Sequence, residues 1–206
     1  MADPTDDLRE DRTEPNSPET TEGGFTLIEL MVVLLIIAIL LAIAIPSFLG
    51  LTSSANDRAA QSNLTNAVTE AASQYQNNAQ SFLAIQTLLL ANAPEFAWTA
   101  GDCFGGIATC ISYQVVDAAS VGDSQGLVVA IYSKATQTCW FGVQLNANPA
   151  ISGASGPTQF TAMSGASTGG TFYSRHNLAT TCVASTAVTS GATWKWSALI
   201  SKAPAN

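Results

Sequence analysis

The sequence has few of the side chains that catalytic and metal sites need. Asp, Glu, Lys and Arg together make up 11% of its 206 residues, and His176 is the single histidine. There is no C-x-x-C pair to hold zinc and no G-x-x-x-x-G-K loop to hold a phosphate. No Ser–His–Asp arrangement can be argued from the spacing of these residue types. We therefore expect no enzymatic activity, no cofactor and no metal ion.

Basic residues are also scarce, and the acidic ones are unevenly placed. The formal net charge is −8, and residues 1–24, with eight acidic residues and two arginines, contribute −6 of it. This stretch is polar and contains three prolines, so we expect a tail without a hydrophobic core. The remaining chain is then close to neutral, at −2. A weakly charged surface suits a subunit that packs against copies of itself and argues against a nucleic-acid partner.

One long apolar run stands out against this background. Sixteen unbroken apolar residues, 30–45, follow Glu29. As a helix, residues 25–45 would span about 30 Å, which is the thickness of the hydrocarbon core of a bilayer. An ionised carboxylate at the edge of that core costs about 2.5 kcal/mol or more. Because an apolar helix offers Glu29 no partner of its own, we expect the partner to come from outside the helix.

Several interpretations of the run compete. It could be an ordinary transmembrane anchor, or a secretory signal peptide, although the acidic stretch before it is the opposite of a basic signal-peptide start. A buried globular helix is disfavoured because only Thr26 and Glu29 are polar. The fourth interpretation is cleavage between Gly24 and Phe25, after which the new amine of Phe25 meets Glu29 of a neighbouring copy. That pairing would neutralise the cost of the carboxylate.

The sequence G-F-T-L-I-E-L at residues 24–30, followed by an apolar helix, resembles the class III signal of type IV pilins and related pseudopilins. Pro46 lies where that family usually has a helix-bending proline. The resemblance implies that a prepilin peptidase recognises Gly24, that Phe25 becomes the N-methylated first residue, and that Glu29 sets register during filament assembly. This leader departs from the family pattern: it covers residues 1–24 and is acidic, whereas family leaders are commonly short and basic.

The helical period continues after Pro46 with one apolar stripe, so we predict one helix over about residues 25–76. Pro46 removes a backbone hydrogen bond and should bend or loosen it. A second, short helix is predicted over about residues 81–91. The stripe is formed by Ala60, Leu64, Ala67, Ala71 and Tyr75.

From residue 111 the apolar period changes to two, which predicts an antiparallel meander of three to four strands. We expect one face to pack on the helix stripe and the other to be largely solvated. Residues 146–170 predict a long exposed loop, and residues 171–174 and 193–196 could add short strands. Trp140, Trp194 and Trp196 are expected in the core or in subunit interfaces rather than on an adhesive surface.

Four cysteines lie in the part expected outside the membrane, and they permit three disulfide pairings. We favour a local Cys103–Cys110 bond and a Cys139–Cys182 bond that ties the C-terminal region to a central strand. Closing the longer loop would contribute about 3–4 kcal/mol. The resemblance further implies that a variable surface region lies at about residues 140–182.

The expected fold is α+β and type IV pilin-like: a leader at residues 1–24, a membrane and assembly half-helix at 25–46, an amphipathic half-helix at 47–77 and a disulfide-stapled head at 78–206. The expected function is that of a structural pilus subunit, anchored in the cytoplasmic membrane as a precursor and then built into a surface filament for adhesion, motility or related tasks. The alternatives are a minor pilin, a secretion pseudopilin, or a single-pass membrane protein whose ectodomain binds a ligand.

Overall fold

The computed structural model describes residues 24–117, 124–146, 169–189 and 195–206. The expectations for the leader at 1–23, for the loop at 147–168 and for Trp194 lie outside these residues. The described chain forms two compact units, one ending at Ile45 and the other beginning at Pro46.

The long N-terminal helix is confirmed. Helix α1 spans Leu27–Asn77, a length of 51 residues. It stays helical through Pro46, and the bend predicted there stays a prediction. Within the second unit, α1 buries, together with Val68 beside it, the stripe that the apolar spacing predicted: Ala60, Leu64, Ala67, Ala71 and Tyr75.

A five-stranded sheet packs on this stripe. The strands are β1 Ala97–Thr99, β2 Cys110–Val116, β3 Gly126–Ser133, β4 Thr138–Leu145 and β5 Gly170–His176, and they lie side by side in that order. Strands β2 to β5 form the predicted antiparallel meander. Strand β1 pairs in parallel with β2 and was not predicted, because three residues are too few to show a period.

Helix α1 comes close to the sheet at Gly142 of β4. A Cβ atom at this position would lie 2.9 Å from Cγ2 of Val68 and 3.5 Å from Cγ of Leu64. Glycine is normally unfavourable inside a strand because it has no side chain to pack. Here the missing side chain makes room for the helix.

The expectation of a solvated second face of the sheet is wrong. Six consecutive residues of β3, and six of β4, are buried. The C-terminal region covers this face with Ala179, Cys182, Ala184, Ala187 and Trp196. Strands buried on both faces have continuous apolar runs, and L-V-V-A-I at residues 127–131 is such a run.

The second helix is shorter than predicted. Helix α2 spans Gln86–Asn92, starting five residues after the predicted start. The backbone at Ala84 is left-handed, with φ of 55°, and therefore cannot be part of a right-handed helix. The side chain of Asn78 holds the preceding turn by donating to the carbonyl oxygens of Ser81 and Leu83, at 2.7 and 2.8 Å.

Both favoured disulfides are present and lie next to each other. Cys103 is bonded to Cys110, and Cys139 to Cys182. The backbone N–H of Cys103 donates to the carbonyl of Cys182 at 3.1 Å. Oδ1 of Asp102 accepts from the N–H groups of Phe104 and Cys182, both at 2.7 Å. Asp102 thus joins the small Cys103–Cys110 loop to the C-terminal region.

The end of the chain covers the outer edge of β5. Helix α3 spans Thr186–Thr189, and a 3₁₀ helix spans Ile200–Lys202. Before the 3₁₀ helix, Ser197 exchanges two backbone hydrogen bonds with Tyr173, at 2.7 and 2.9 Å; after it, Pro204 accepts from the N–H of Arg175 at 3.0 Å. Edge strands expose unpaired backbone groups, and this segment pairs them.

Candidate processing and assembly segment

The predicted cleavage site is exposed. Gly24 and Phe25 precede α1 and have no regular secondary structure, and 88% of the Phe25 surface is exposed. A Cβ atom at Gly24 would meet none of the described residues within 4 Å, and Gly24 is not left-handed. The fold of the chain therefore makes no demand for glycine at this position.

Thr26 and Glu29 form a capping box at the start of α1. Oε2 of Glu29 accepts from the backbone N–H of Thr26 at 2.9 Å and from its hydroxyl at 2.7 Å. The N–H of Glu29 donates back to the Thr26 hydroxyl oxygen at 3.3 Å. This reciprocal pair satisfies backbone donors that a helix start otherwise leaves unpaired. An acidic residue in the first turn also interacts favourably with the helix dipole.

The capping box corrects one expectation from the sequence. We expected the helix to offer Glu29 no partner of its own, but Thr26 is such a partner. The signal was present, because T-x-x-E before an apolar run is the sequence pattern of a capping box. The second oxygen, Oε1, has no hydrogen-bond partner among the residues that the structure describes, so the carboxylate keeps one acceptor atom for a further donor.

The helix beyond Glu29 presents apolar side chains on every side. Its large hydrophobic residues from Leu27 to Ile45 are between 45% and 78% exposed. By length and composition α1 can cross a membrane, since its best 18-residue window has a mean hydropathy of 3.2 and none of that window is buried. A helix that is hydrophobic all round needs an apolar environment, either lipid or other helices.

The remaining candidate residues lie elsewhere. His176 ends β5 and is exposed. The four cysteines are held in disulfides, and the described residues contain no group of three or more His, Cys, Asp or Glu side chains that could hold a metal ion. Trp140 and Trp196 are both 3% exposed and pack in the head, as expected. The structure also places Asp57 against Trp140, a pair that no sequence pattern predicted.

Residues 20–45 match the family described as Prokaryotic N-terminal methylation motif. The match spans the processing segment and the apolar part of α1, which is 26 of the 206 residues. No curated protein and no solved structure matches the chain. The motif together with the long apolar helix fits a type IV pilin-like class III signal, and the helix on an antiparallel-rich sheet with two disulfides is the type IV pilin-like α+β fold.

Proposed function

We propose that the chain is the precursor of a structural subunit of a type IV pilus. The methylation motif at residues 20–45 carries this proposal, and it points to a structural rather than an enzymatic protein. In the proposed sequence of events, a prepilin peptidase cuts between Gly24 and Phe25, and Phe25 is N-methylated. The processed subunit then leaves the membrane and packs by its apolar helix into a surface filament.

The exposure of Gly24 and Phe25 supports the processing step. A peptidase must bind an extended or irregular segment, and this one precedes the first helical residue, Leu27. Because the fold does not require glycine at position 24, a Gly24→Ala variant should keep the fold of the chain. We expect it to remain uncut if the peptidase demands glycine there.

The apolar surface of α1 supports the assembly step. In the precursor, lipid chains would solvate the residues from Leu27 to Ile45; in the filament, the helices of neighbouring copies would replace the lipid. Moving the helix then exchanges one apolar environment for another, so the hydrophobic effect does not oppose extraction.

The geometry of Glu29 supports its proposed pairing with a neighbouring Phe25 amine. Thr26 occupies Oε2, and Oε1 is available to a donor from another copy. A charge-assisted hydrogen bond in an apolar surrounding is stronger than a neutral one. A copy docked at another offset would leave both charges unpaired, and this penalty would select the correct register.

Three substitutions separate the charge of Glu29 from its capping role. Glu29→Gln keeps a capping-box acceptor but removes the charge, since Gln also serves at this position. Thr26→Ala removes the hydroxyl of the cap but keeps the charge. Glu29→Ala removes both. All three should accumulate in the membrane, because the apolar run is unchanged.

We expect Glu29→Gln and Glu29→Ala to yield few filaments and Thr26→Ala to yield many, measured as protein sheared from cells relative to protein in the membrane. Normal filament yield from Glu29→Gln would show that the charge has no role in assembly. Loss of filaments from Thr26→Ala alone would assign the effect to the helix cap.

Two other functions would be compatible with the apolar N-terminal helix. A minor pilin or a secretion pseudopilin would share the same signal and processing. A membrane-anchored ectodomain that binds a ligand would keep its leader in the mature protein, so the N-terminus of the mature chain distinguishes it from every pilin-like subunit.

A further inference from the structure

Basic side chains gather at one end of the second unit. Lys134 is exposed in the turn between β3 and β4. The hydroxyl of Thr136 in the same turn donates to Asp57 of α1 at 2.8 Å, which places the exposed Arg58, the next residue of α1, at this end of the sheet.

The C-terminal segment brings two lysines to the same region. Arg175 lies opposite Trp140 in the β4–β5 ladder, near the end of β5. Its carbonyl accepts from the N–H of Asn206 at 3.0 Å, and the Asn206 side chain in turn accepts from the N–H of Lys195 at 2.8 Å. Lys202 ends the 3₁₀ helix, two residues before the Pro204 carbonyl that accepts from Arg175. Both lysines are exposed.

These positions account for every Lys and Arg after the leader, since the chain has seven in all and Arg9 and Arg12 lie at residues 1–24. We name this surface the basic end; it consists of Arg58, Lys134, Arg175, Lys195 and Lys202. His176 adjoins it.

The carboxylates near the basic end are occupied. Asp57 accepts from Thr136, Trp140 and Gln61, and Asp102 accepts from two backbone N–H groups. Of the other carboxylates that the structure describes in this unit, Asp117 lies away from the basic end, whereas Glu95 lies on the side of the Cys103–Cys110 loop, since Ala97 of β1 pairs with Cys110. Glu70 and Glu95 line a cleft beside α1 and β1, and Asp117 follows β2 at the opposite end of the sheet.

Exposed apolar side chains adjoin the basic end. Leu178 is 75% exposed and its turn is held against the β3–β4 turn, because the N–H of Ala179 donates to the carbonyl of Gln137 at 2.9 Å. Ile107, in the Cys103–Cys110 loop, is 65% exposed. Phe104 of this loop is 44% exposed and packs its ring 4.8 Å from that of Tyr132. Cations interspersed with apolar tips are the pattern of surfaces that bind membrane interfaces.

The chain enters the second unit at the basic end. Along α1 the buried stripe of the second unit begins at Ala60 and ends at Tyr75, whose hydroxyl donates to Gln125 at the far end of the sheet. Asp57 is twelve residues after Ile45, which is about 18 Å of helix and at most about 40 Å of extended chain.

We propose that the basic end of the head binds the anionic lipid headgroups of the membrane that holds the precursor. Attraction between basic side chains and anionic lipids acts within about a Debye length, and Asp57 follows the apolar run by only twelve residues. The binding would hold the head against the bilayer until assembly removes the subunit. This inference rests on the membrane-anchored stage of the proposed function.

The test uses the full chain in nanodiscs, either of zwitterionic phosphatidylcholine alone or of phosphatidylcholine with phosphatidylglycerol. Hydrogen exchange followed by mass spectrometry reports on the β3–β4 turn at residues 134–137. We expect this turn to exchange about fivefold more slowly in the anionic discs, and the difference to vanish at high salt.

Two double variants complete the design. Lys134→Gln with Lys202→Gln removes two exposed cations of the basic end and should abolish the difference between the lipids. Ser73→Glu with Gln76→Glu lowers the net charge by the same amount. Both sites are exposed in the last turns of α1, far from the basic end. This variant should keep the difference in exchange between the two lipids.

Equal exchange in both lipids, or protection that survives Lys134→Gln with Lys202→Gln, would overturn the proposal. Protection that is independent of the lipid but rises with the number of copies per disc would also overturn it, in favour of contact between copies. Failure of the membrane anchor is distinguishable, because the protein would then not co-elute with either kind of disc.

Discussion

Asp57 of α1 accepts a hydrogen bond of 2.9 Å from the indole N–H of Trp140 in β4. The same oxygen accepts from the Thr136 hydroxyl at 2.8 Å, and the other oxygen accepts from Gln61 at 3.0 Å. The guanidinium of Arg175 lies 5.6 Å from the centre of the Trp140 ring. Helix α1, strand β4 and the β3–β4 turn thus meet at one carboxylate, and this contact helps to hold α1 on the sheet within the second unit.

We expect Asp57→Ala to lower the free energy of unfolding of the head by about 1.5–3 kcal/mol, because it leaves the buried indole N–H without its charged acceptor. Trp140→Phe should cost about as much, through the lost hydrogen bond and the lost contact with Arg175. Urea unfolding of the full chain in detergent measures both. The double variant should lower the free energy of unfolding by less than the sum of the two single losses, because Asp57 and Trp140 contact each other. Fully additive losses would contradict this coupling. Glu95→Ala, at an exposed carboxylate, is the control.

Gly142→Val should destabilise the head by about 1–3 kcal/mol, because the added side chain would overlap Val68 and push α1 away from β4. The thermal unfolding midpoint of the full chain reports this. Gly50→Ala is the matched control, since a Cβ there meets nothing within 4 Å and alanine favours a helix. A Gly142→Val variant as stable as the native chain would show that the close approach is not required.

The two disulfides should differ in how much they contribute to the free energy of unfolding of the head. Replacing Cys139 and Cys182 by serine opens a loop with a sequence separation of 43, whereas replacing Cys103 and Cys110 opens one of 7. Loop-closure entropy predicts losses of about 4 and about 2.5 kcal/mol respectively. Unfolding by urea, without reductant, measures both. A larger loss from the Cys103–Cys110 pair would indicate that the local loop stabilises the head through its contacts rather than through chain entropy.

Burial raises the pKa of Tyr113 above its ordinary value of 10.0. In the unfolded chain this tyrosine ionises near its ordinary pKa, while the folded head resists ionisation. Unfolding therefore releases a proton above that pH, and the stabilising contribution of the buried phenol is lost as the pH rises through 10. Urea unfolding from pH 8 to 11 should show that the stability difference between the native chain and Tyr113→Phe is constant below pH 9 and shifts in favour of the variant above 10. A constant difference throughout would contradict this.

Local pattern predicts much of this fold. The helical and alternating periods predict α1 and strands β2 to β4, since each depends on neighbours within one turn or one strand. The start of α2 could not be predicted, because an alanine at position 84 does not indicate a left-handed backbone. The covering of the second sheet face depends on distant residues such as Trp196, although the continuous apolar run of β3 indicated it.

The contacts of the functional residues are likewise predictable from the sequence only in part. The Gly24–Phe25 junction and the capping box of Thr26 and Glu29 are local patterns, and both can be read within six residues. The contact between Asp57 and Trp140 joins positions 83 residues apart and leaves no local signal. Only the folded head brings them together.

We propose above all that the chain is cut before Phe25 and built into a filament. Mass spectrometry of the protein's N-terminus, on material sheared from the surface of intact cells, tests it most directly. We expect a chain that begins at N-methylated Phe25. A surface fraction without the protein, with chains in the membrane that still carry residues 1–24, would rule out a filament subunit and favour an anchored ectodomain.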